Sequence, residues 1–319
     1  MLDMVASTFS VSPTPNQLKN WVSTAFIPPN GNESKKYFQK LLINGVAFKC
    51  TYYPPNPGYP HPHTRIEFSP STLLFGDNVQ LVEDQSQIEE AINLANKYLS
   101  TISWIPRIDI GDGILFRVDA TYNHLVGERV HDYIRALFNM EDDYPQRETR
   151  PWKYSGVQFY SKATTTTFYD LLKKHQTPAA YGYLRQETSM RGSRNIAQRM
   201  GKDNPTLRYL RIDWLADTLK KDLQVLHLDN AVICDRDLSL EILINKYGVN
   251  KGVRLYGYLI TQQSMTNKQL MSIGAIERTL QGWDKTIHDA GVALTMTEKV
   301  GLAPLSIGVK AQKIAGGTQ

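Results

Sequence analysis

Three short segments of this chain alternate with the period of a β-strand, and each sets an arginine two positions before an acid. They are Arg65-Ile66-Glu67, Arg117-Val118-Asp119 and Arg185-Gln186-Glu187. Successive side chains of a strand point to opposite faces, so each arginine shares a face with its acid. A chain that repeats this pattern builds a sheet with charged side chains on a face. The spacing occurs five times, the other two at Arg107 and Arg211, where composition alone gives about 1.6. The plain reading of such pairs is cross-face ion pairing on strands. The functional reading is a carboxylate cluster for a hard divalent ion, Mg²⁺ or Mn²⁺, which prefers oxygen ligands.

The remaining pattern predicts an α+β fold. Strand-like runs cover residues 1–12, 41–53, 64–69, 113–122 and 181–188, and two more lie in 156–174. An apolar stripe at Ile88, Ile92, Ala95 and Leu99 predicts a helix over 85–101 that crosses the sheet, and 127–138 reads as helical. Past about residue 195 the pattern turns helical: 205–222, 237–246, 252–262, 266–274 and 275–290. The expected architecture is an antiparallel sheet with covering helices over residues 1–200, followed by a smaller helical domain over 201–319. With 319 residues and 41% hydrophobic content, the chain is long enough for a sizeable core.

Charge and cysteine narrow the function classes. Lys and Arg number 36 against 31 acids, a net charge of +5 with pI near 9.0, which leans toward an anionic partner. Cys50 and Cys234 are the two cysteines, too few for a Cys-rich zinc site or a disulfide framework. No apolar run reaches the length of a membrane span and residues 1–12 lack a secretory pattern, so a soluble, cytoplasmic protein is expected.

The candidate reacting groups are tyrosines. Tyr169 precedes Lys173 and Lys174 by four and five positions, and a helical continuation brings one ammonium to the tyrosine. A free tyrosine, with pKa about 10, is roughly 0.1% phenolate at pH 7 and needs such a cation to act as a nucleophile. Tyr160, beside Lys162, is the competing pair. His124, past the end of the Asp119 strand, is a further ligand candidate, whereas His61-Pro62-His63 reads as a loop. In the C-terminal region Thr266 can cap a helix, and Arg278, Gln281, Lys285 and His288 lie on or near one side of the next. That pair reads either as a helix-turn-helix gripping duplex DNA or as a cap packed on the sheet.

Taken in order, these segments resemble the gene II/gene X family of filamentous-phage rolling-circle replication initiators. The residues that carry the likeness are Met1-Leu2-Asp3-Met4, Gly45 to Lys49, Arg65 to Pro70, Gly76-Asp77-Asn78, Arg117 to Tyr122, Thr167 to Lys173, Leu184 to Glu187 and Arg254-Leu255-Tyr256-Gly257. The resemblance implies nicking of one strand of a double-stranded origin by a tyrosine, a 5′-phosphotyrosine intermediate and later re-joining. It assigns the nucleophile to Tyr169 with Lys173, Tyr160 remaining the alternative. It assigns metal ligation to Glu67, Asp119 and Glu187, with Asp3 as a further ligand beside the His124 candidate read from the residues. DNA contacts fall to Arg117, Arg185, Lys174, Arg278 and Lys285. Origin DNA, Mg²⁺ or Mn²⁺, and a host helicase and polymerase are the implied partners. The rival readings are a non-catalytic DNA-binding protein and a hydrolytic metal nuclease.

Overall fold

The computed structural model describes residues 1–26, 34–55, 61–138, 148–152, 155–161, 163–226, 228–229, 232–234, 236–262, 267–294 and 301–308. The fold is α+β, built on a ten-stranded antiparallel sheet. In chain order the elements are β1 (Leu2–Phe9), α1 (Pro15–Leu18), β2 (Val22–Phe26), β3 (Ser34–Ile43), β4 (Val46–Tyr53), β5 (His63–Phe68), α2 (Pro70–Phe75), α3 (Gln85–Ser100), β6 (Ile114–Leu125) and α4 (Val130–Phe138). There follow β7 (Glu148–Trp152), β8 (Gly156–Tyr160), β9 (Thr164–Asp170), α5 (Leu171–His175), β10 (Tyr183–Arg191), α6 (Ser193–Met200) and α7 (Ile212–Val225). The last group is β11 (Val232–Cys234), α8 (Arg236–Tyr247), α9 (Val249–Gln262), α10 (Asn267–Ser272), α11 (Glu277–Ala290), β12 (Val292–Leu294) and β13 (Gly301–Leu302).

The large sheet runs β2-β3-β4-β5-β1-β6-β10-β9-β8-β7. Its two faces follow from the alternation. One carries Leu2, Val5, Phe48, Ile66, Phe68, Val118, Ala120, Leu184, Met190, Phe168, Val157 and Phe159, all buried in one apolar core that also takes in residues of α3, α4, α6 and α7. α7 is further fixed by a buried acid, since Thr166 Oγ1 donates to Asp222 Oδ2 at 2.8 Å and Thr188 Oγ1 donates to the same oxygen. Thr166, Thr188, Gln186 and His124 are buried polar residues of this core face, and the opposite face carries Asp119, Glu187, Arg185 and Tyr169.

Two local features depart from the sequence reading. The single run expected over 41–53 is two strands, β3 and β4, joined at Asn44-Gly45. Both turn residues have positive φ, 48° and 82°, the backbone that a tight two-residue hairpin requires and that Asn and Gly tolerate best. In β6 the expected alternation breaks at Phe116. Ser7 pairs with Leu115 and Ala6 with Arg117, so a register irregularity puts Leu115 into the core and leaves Phe116 on the polar side, where the Arg65 guanidinium lies 3.3 Å from its ring centroid.

The expected boundary near residue 200 falls between α6 and α7, which both pack on the sheet. The sheet core extends through Leu226 and Leu228 and takes in Leu302, Leu305 and Ile307. A second apolar cluster gathers Leu243, Leu255, Tyr258, Leu270, Leu280, Ile287 and Val292 from α8 to β12. The β11-β12-β13 sheet connects it to the returning segment 301–308. Among the described residues no helix is long and apolar enough to cross a membrane.

Phe168 is fully buried and meets Phe159 edge to face at 6.2 Å. Phe168→Ala is expected to cost about 3–5 kcal/mol of stability through lost burial and a residual cavity. Urea unfolding should show a lower midpoint at an unchanged m-value; an unchanged midpoint would mean that this contact does not hold the sheet core.

Candidate functional site

The polar face gathers its reacting groups where β6, β10 and β9 lie side by side. The register sets Ser189 against Asp119, Glu187 against Thr121 and Thr167, and Arg185 against Asn123 and Tyr169. Directly paired residues share a face, so Asp119, Glu187, Arg185 and Tyr169 emerge together. β1 adds Asp3 through a second register shift, between Leu2 and Met4 opposite Ala120 and Asp119.

Tyr169 is 2% exposed, and its hydroxyl sits between an acid and an amine. It donates to Glu187 Oε2 at 3.2 Å and accepts from Lys174 Nζ at 2.7 Å. Lys174 reaches it because Asp170 ends the strand and caps α5, its carboxylate accepting from the Leu172 and Lys173 amides, and the first turn folds Lys174 back over the ring. Lys173, the expected partner, points elsewhere and lines a shallow groove of about 730 Å³ with Leu172, Gln176, Thr177, Pro178 and Tyr181. The ammonium beside the tyrosine is therefore Lys174. Burial, followed by the Glu187 charge, pushes the Tyr169 hydroxyl well above the usual tyrosine range, against the pull of the Arg185 guanidinium.

Two acids of this face have raised pKa values, Asp119 chiefly through burial, against the pull of Arg117, and Glu187. Part of Glu187 reaches the surface, yet burial of its carboxyl, followed by the charges of Asp119 and Asp3, raises it to about 7. Lys174 and Arg185 oppose the rise. The other acids are each engaged by protein groups. Arg117 Nε and Nη2 donate to the two oxygens of Asp119 at 2.9 and 2.6 Å. Asn78 Nδ2 donates to both oxygens of Asp3 at 3.1 and 3.2 Å, and Ser69 Oγ donates to Oδ1 at 3.3 Å. Glu67 pairs with Lys49 at 2.7 Å and with Arg117 at 3.6 Å.

The expected metal set of Glu67, Asp119 and Glu187 is consequently not assembled. Among the described residues no three His, Cys, Asp or Glu side chains are placed to hold a metal ion. The carboxylate oxygens that such an ion would take are turned toward Arg117, Lys49 and Asn78. His124 is corrected more simply. It lies an odd number of residues from Asp119 on a regular stretch of β6, so it projects from the opposite face. There its Nε2 meets Gln186 Oε1 at 3.0 Å, and burial lowers its pKa to about 4.

Tyr160 stands on the polar face opposite Thr165, two pleats along β9 from Tyr169, with the Arg150 guanidinium 4.4 Å from its ring centroid. Lys162, its expected partner, lies outside the described residues. His63 opens β5, with its ring stacked on Tyr53 at 4.7 Å. In the C-terminal unit Arg278 and Lys285 occupy the exposed side of α11, while Leu280 and Ile287 bury the other side in the second cluster, against α8 and α9. The helix pair is thus packed in a core of its own. Thr266 lies outside the described residues. Sequence reasoning named Asn78 only within the Gly76-Asp77-Asn78 stretch, without a role, and gave none to His175. The first sits in a loop, and the second follows Lys174 without a motif of its own.

No family model matches the chain, and no curated protein matches it. Similar solved structures include the di-domain ARO/CYC StfQ from the steffimycin biosynthetic pathway, 10% identical, covering 69% of this chain and 94% of that one, with a TM-score of 0.22. Another is the di-domain ARO/CYC BexL from the BE-7585A biosynthetic pathway, 12% identical, covering 64% and 75%, with a TM-score of 0.14. Likenesses at these scores carry no argument about fold or activity. The expected family is corrected by the other comparisons: no family model, that of the rolling-circle initiators included, and no curated protein matches the chain, and the origin-nicking function that rested on the resemblance is withdrawn.

Two pH effects follow from the buried groups. Glu187 is raised from 4.5 to about 7. Between those values the unfolded chain has lost the proton and the native one keeps it, so stability falls as pH rises through this window. Glu187→Gln should remove the loss, gaining stability over wild type at pH 8 and little at pH 4 in denaturant titrations; equal gains at both would mean the carboxyl titrates normally. His124 has the opposite sign. Its native value near 4 lies below the ordinary 6.5, so stability is complete above 6.5 and is lost as the pH falls toward 4. His124→Gln should flatten the acid limb of that same titration, and an unaltered acid limb would place the effect on another group.

Proposed function

We propose that the chain is an enzyme that works through the Tyr169 hydroxyl, by proton transfer among Glu187, Tyr169 and Lys174. The observation that carries this reading is the hydroxyl held at 2.7 Å from Lys174 Nζ and 3.2 Å from Glu187 Oε2 on a buried polar face. Lys174 favours the phenolate, and Glu187 accepts or returns the proton, with a pKa near the working pH that suits a general acid or base. Burial strengthens both interactions by excluding water from the hydroxyl. Arg117 and Arg185 hold the surrounding face rigid through Asp119, Asn123 and the Asn78 and Val79 carbonyls. The basic charge balance favours an anionic substrate.

The Mg²⁺ or Mn²⁺ and the DNA expected from the sequence enter this reading as arms of its test. A divalent ion would relieve the repulsion among Glu187, Asp119 and Asp3 as a proton does, once Arg117 turned from Asp119. The full chain is assayed against chromogenic p-nitrophenyl esters of acetate and phosphate, with and without Mn²⁺ and with single-stranded DNA as a competitor. Tyr169→Phe should lower turnover at least about 100-fold, the scale of a lost acid–base group, with little change in stability. Turnover that persists in Tyr169→Phe, or that disappears with Tyr160→Phe, would overturn the assignment.

A further inference from the structure

The segment that follows β9 walls a groove of about 730 Å³, a volume within the range of roughly 300–1,000 Å³ that small-molecule sites occupy. Leu172, Lys173, Gln176, Thr177, Pro178 and Tyr181 line it. The backbone of both walls is fixed by its own hydrogen bonds. Gln176 ends α5 in a left-handed turn, φ 55°, its amide donating to the Leu172 carbonyl at 2.8 Å. A tight turn follows, in which the Ala180 amide donates to the Thr177 carbonyl at 3.0 Å and the Tyr181 amide to that of Pro178 at 3.1 Å. Beyond it the Gly182 carbonyl accepts from the Val126 and Gly127 amides at 2.9 and 3.0 Å, which ties the end of the segment to the chain leaving β6. Leu171 and Ala180 anchor the two walls, fully buried in one cluster with Tyr169.

The lining is divided in its chemistry. Leu172, Pro178 and Tyr181 present apolar and aromatic surface, and Tyr181 is 55% exposed. Lys173, Gln176 and Thr177 supply donors, and none of the six residues is acidic. Among the described residues the exposed Lys173 ammonium has no hydrogen-bond or ion-pair partner, whereas that of Lys174 is engaged by Tyr169. We propose that this groove binds a small carboxylate with an aromatic body, its ring against Tyr181 and Pro178 and its charge on Lys173. The Gln176 amide and the Thr177 hydroxyl are the further donors. One ammonium matches the single charge of a carboxylate; a phosphate dianion calls for a guanidinium or paired cations, which the lining does not offer. An aromatic body adds offset ring contact with Tyr181. Walls fixed in advance lower the ordering cost of binding. The groove is distinct from the Tyr169 hydroxyl, because Lys173 and Lys174 point to different places, and its ligand does not depend on the catalytic reading.

The test is titration of the full chain with 3-phenylpropionate near pH 7, followed by calorimetry and by backbone amide resonances. Saturable one-to-one binding is expected, with the shifted resonances centred on residues 171–182. The uncharged 3-phenylpropanamide has the same shape and should bind about fivefold more weakly, the scale of an ion pair that stays partly exposed. That preference should vanish in Lys173→Gln. Tyr181→Ala should weaken both ligands about tenfold through lost ring contact. Lys173 and Tyr181 are both exposed, so neither change touches the core. Tyr169→Phe should bind as wild type does, and so should Lys221→Gln, which alters an exposed lysine of α7. Non-saturable binding, wild-type shifts centred elsewhere, or a carboxylate preference that survives in Lys173→Gln would each overturn the proposal. Inorganic phosphate bound as tightly at the same residues would overturn the ligand class.

Discussion

The pairing of β10 between β6 and β9 is the constraint from which the rest of the structure follows. Nine consecutive residues of β10 pair with β6 and seven with β9, without a register irregularity. A shift of one residue would send Leu184, Met190 and Phe168 out of the core and carry Glu187, Arg185 and Tyr169 into it. The apolar core on one face therefore specifies the alignment of the polar groups on the other. Burial supplies the free energy, and the site is placed by the strand period as a consequence.

Given that alignment, the electrostatics of the polar face are set by which acids are neutralised. Asp119 has Arg117 on both oxygens, Asp3 has Asn78 and Ser69, and Glu67 has Lys49. Glu187 instead accepts from a tyrosine and stands near two other carboxylates, so its charged form is costly, as burial also makes that of Asp119 despite its arginine. The face thus sets Glu187, raised by burial, beside a tyrosine and a lysine, while Asp119, Asp3 and Glu67 are each engaged by neighbouring donors. A ligand shell for a divalent ion would need those locked oxygens free.

Much of this was legible in the residues. The Arg-x-acid strands, the helix over 85–101 and the nearness of Tyr169 to a following lysine all rest on local periodicity, and the structure contains each of them. Other features were misread for reasons of geometry. The Asn44-Gly45 turn lay inside an apolar run and looked like a continuous strand. The irregularity at Phe116 has no mark in the sequence, yet it reverses the faces of Leu115 and Phe116. His124 was grouped with Asp119 although an odd separation sets them on opposite faces. Which of two adjacent lysines meets Tyr169 depended on where Asp170 begins the helix, a matter of one residue.

The sequence by itself determined that strands with one polar face would form, that helices would follow, and which side chains each strand would present together. Period-two alternation and capping are local, and local chemistry can be read along a chain. Tertiary structure alone decided which strands became neighbours, and hence that Asp3, Asp119, Glu187, Arg185 and Tyr169, spread over more than 180 residues, share one site. It also decided their chemistry. Whether a carboxyl binds a metal, pairs with an arginine or holds a proton near neutral pH depends on burial and on charges brought from distant strands, and neither quantity is written in the order of the residues.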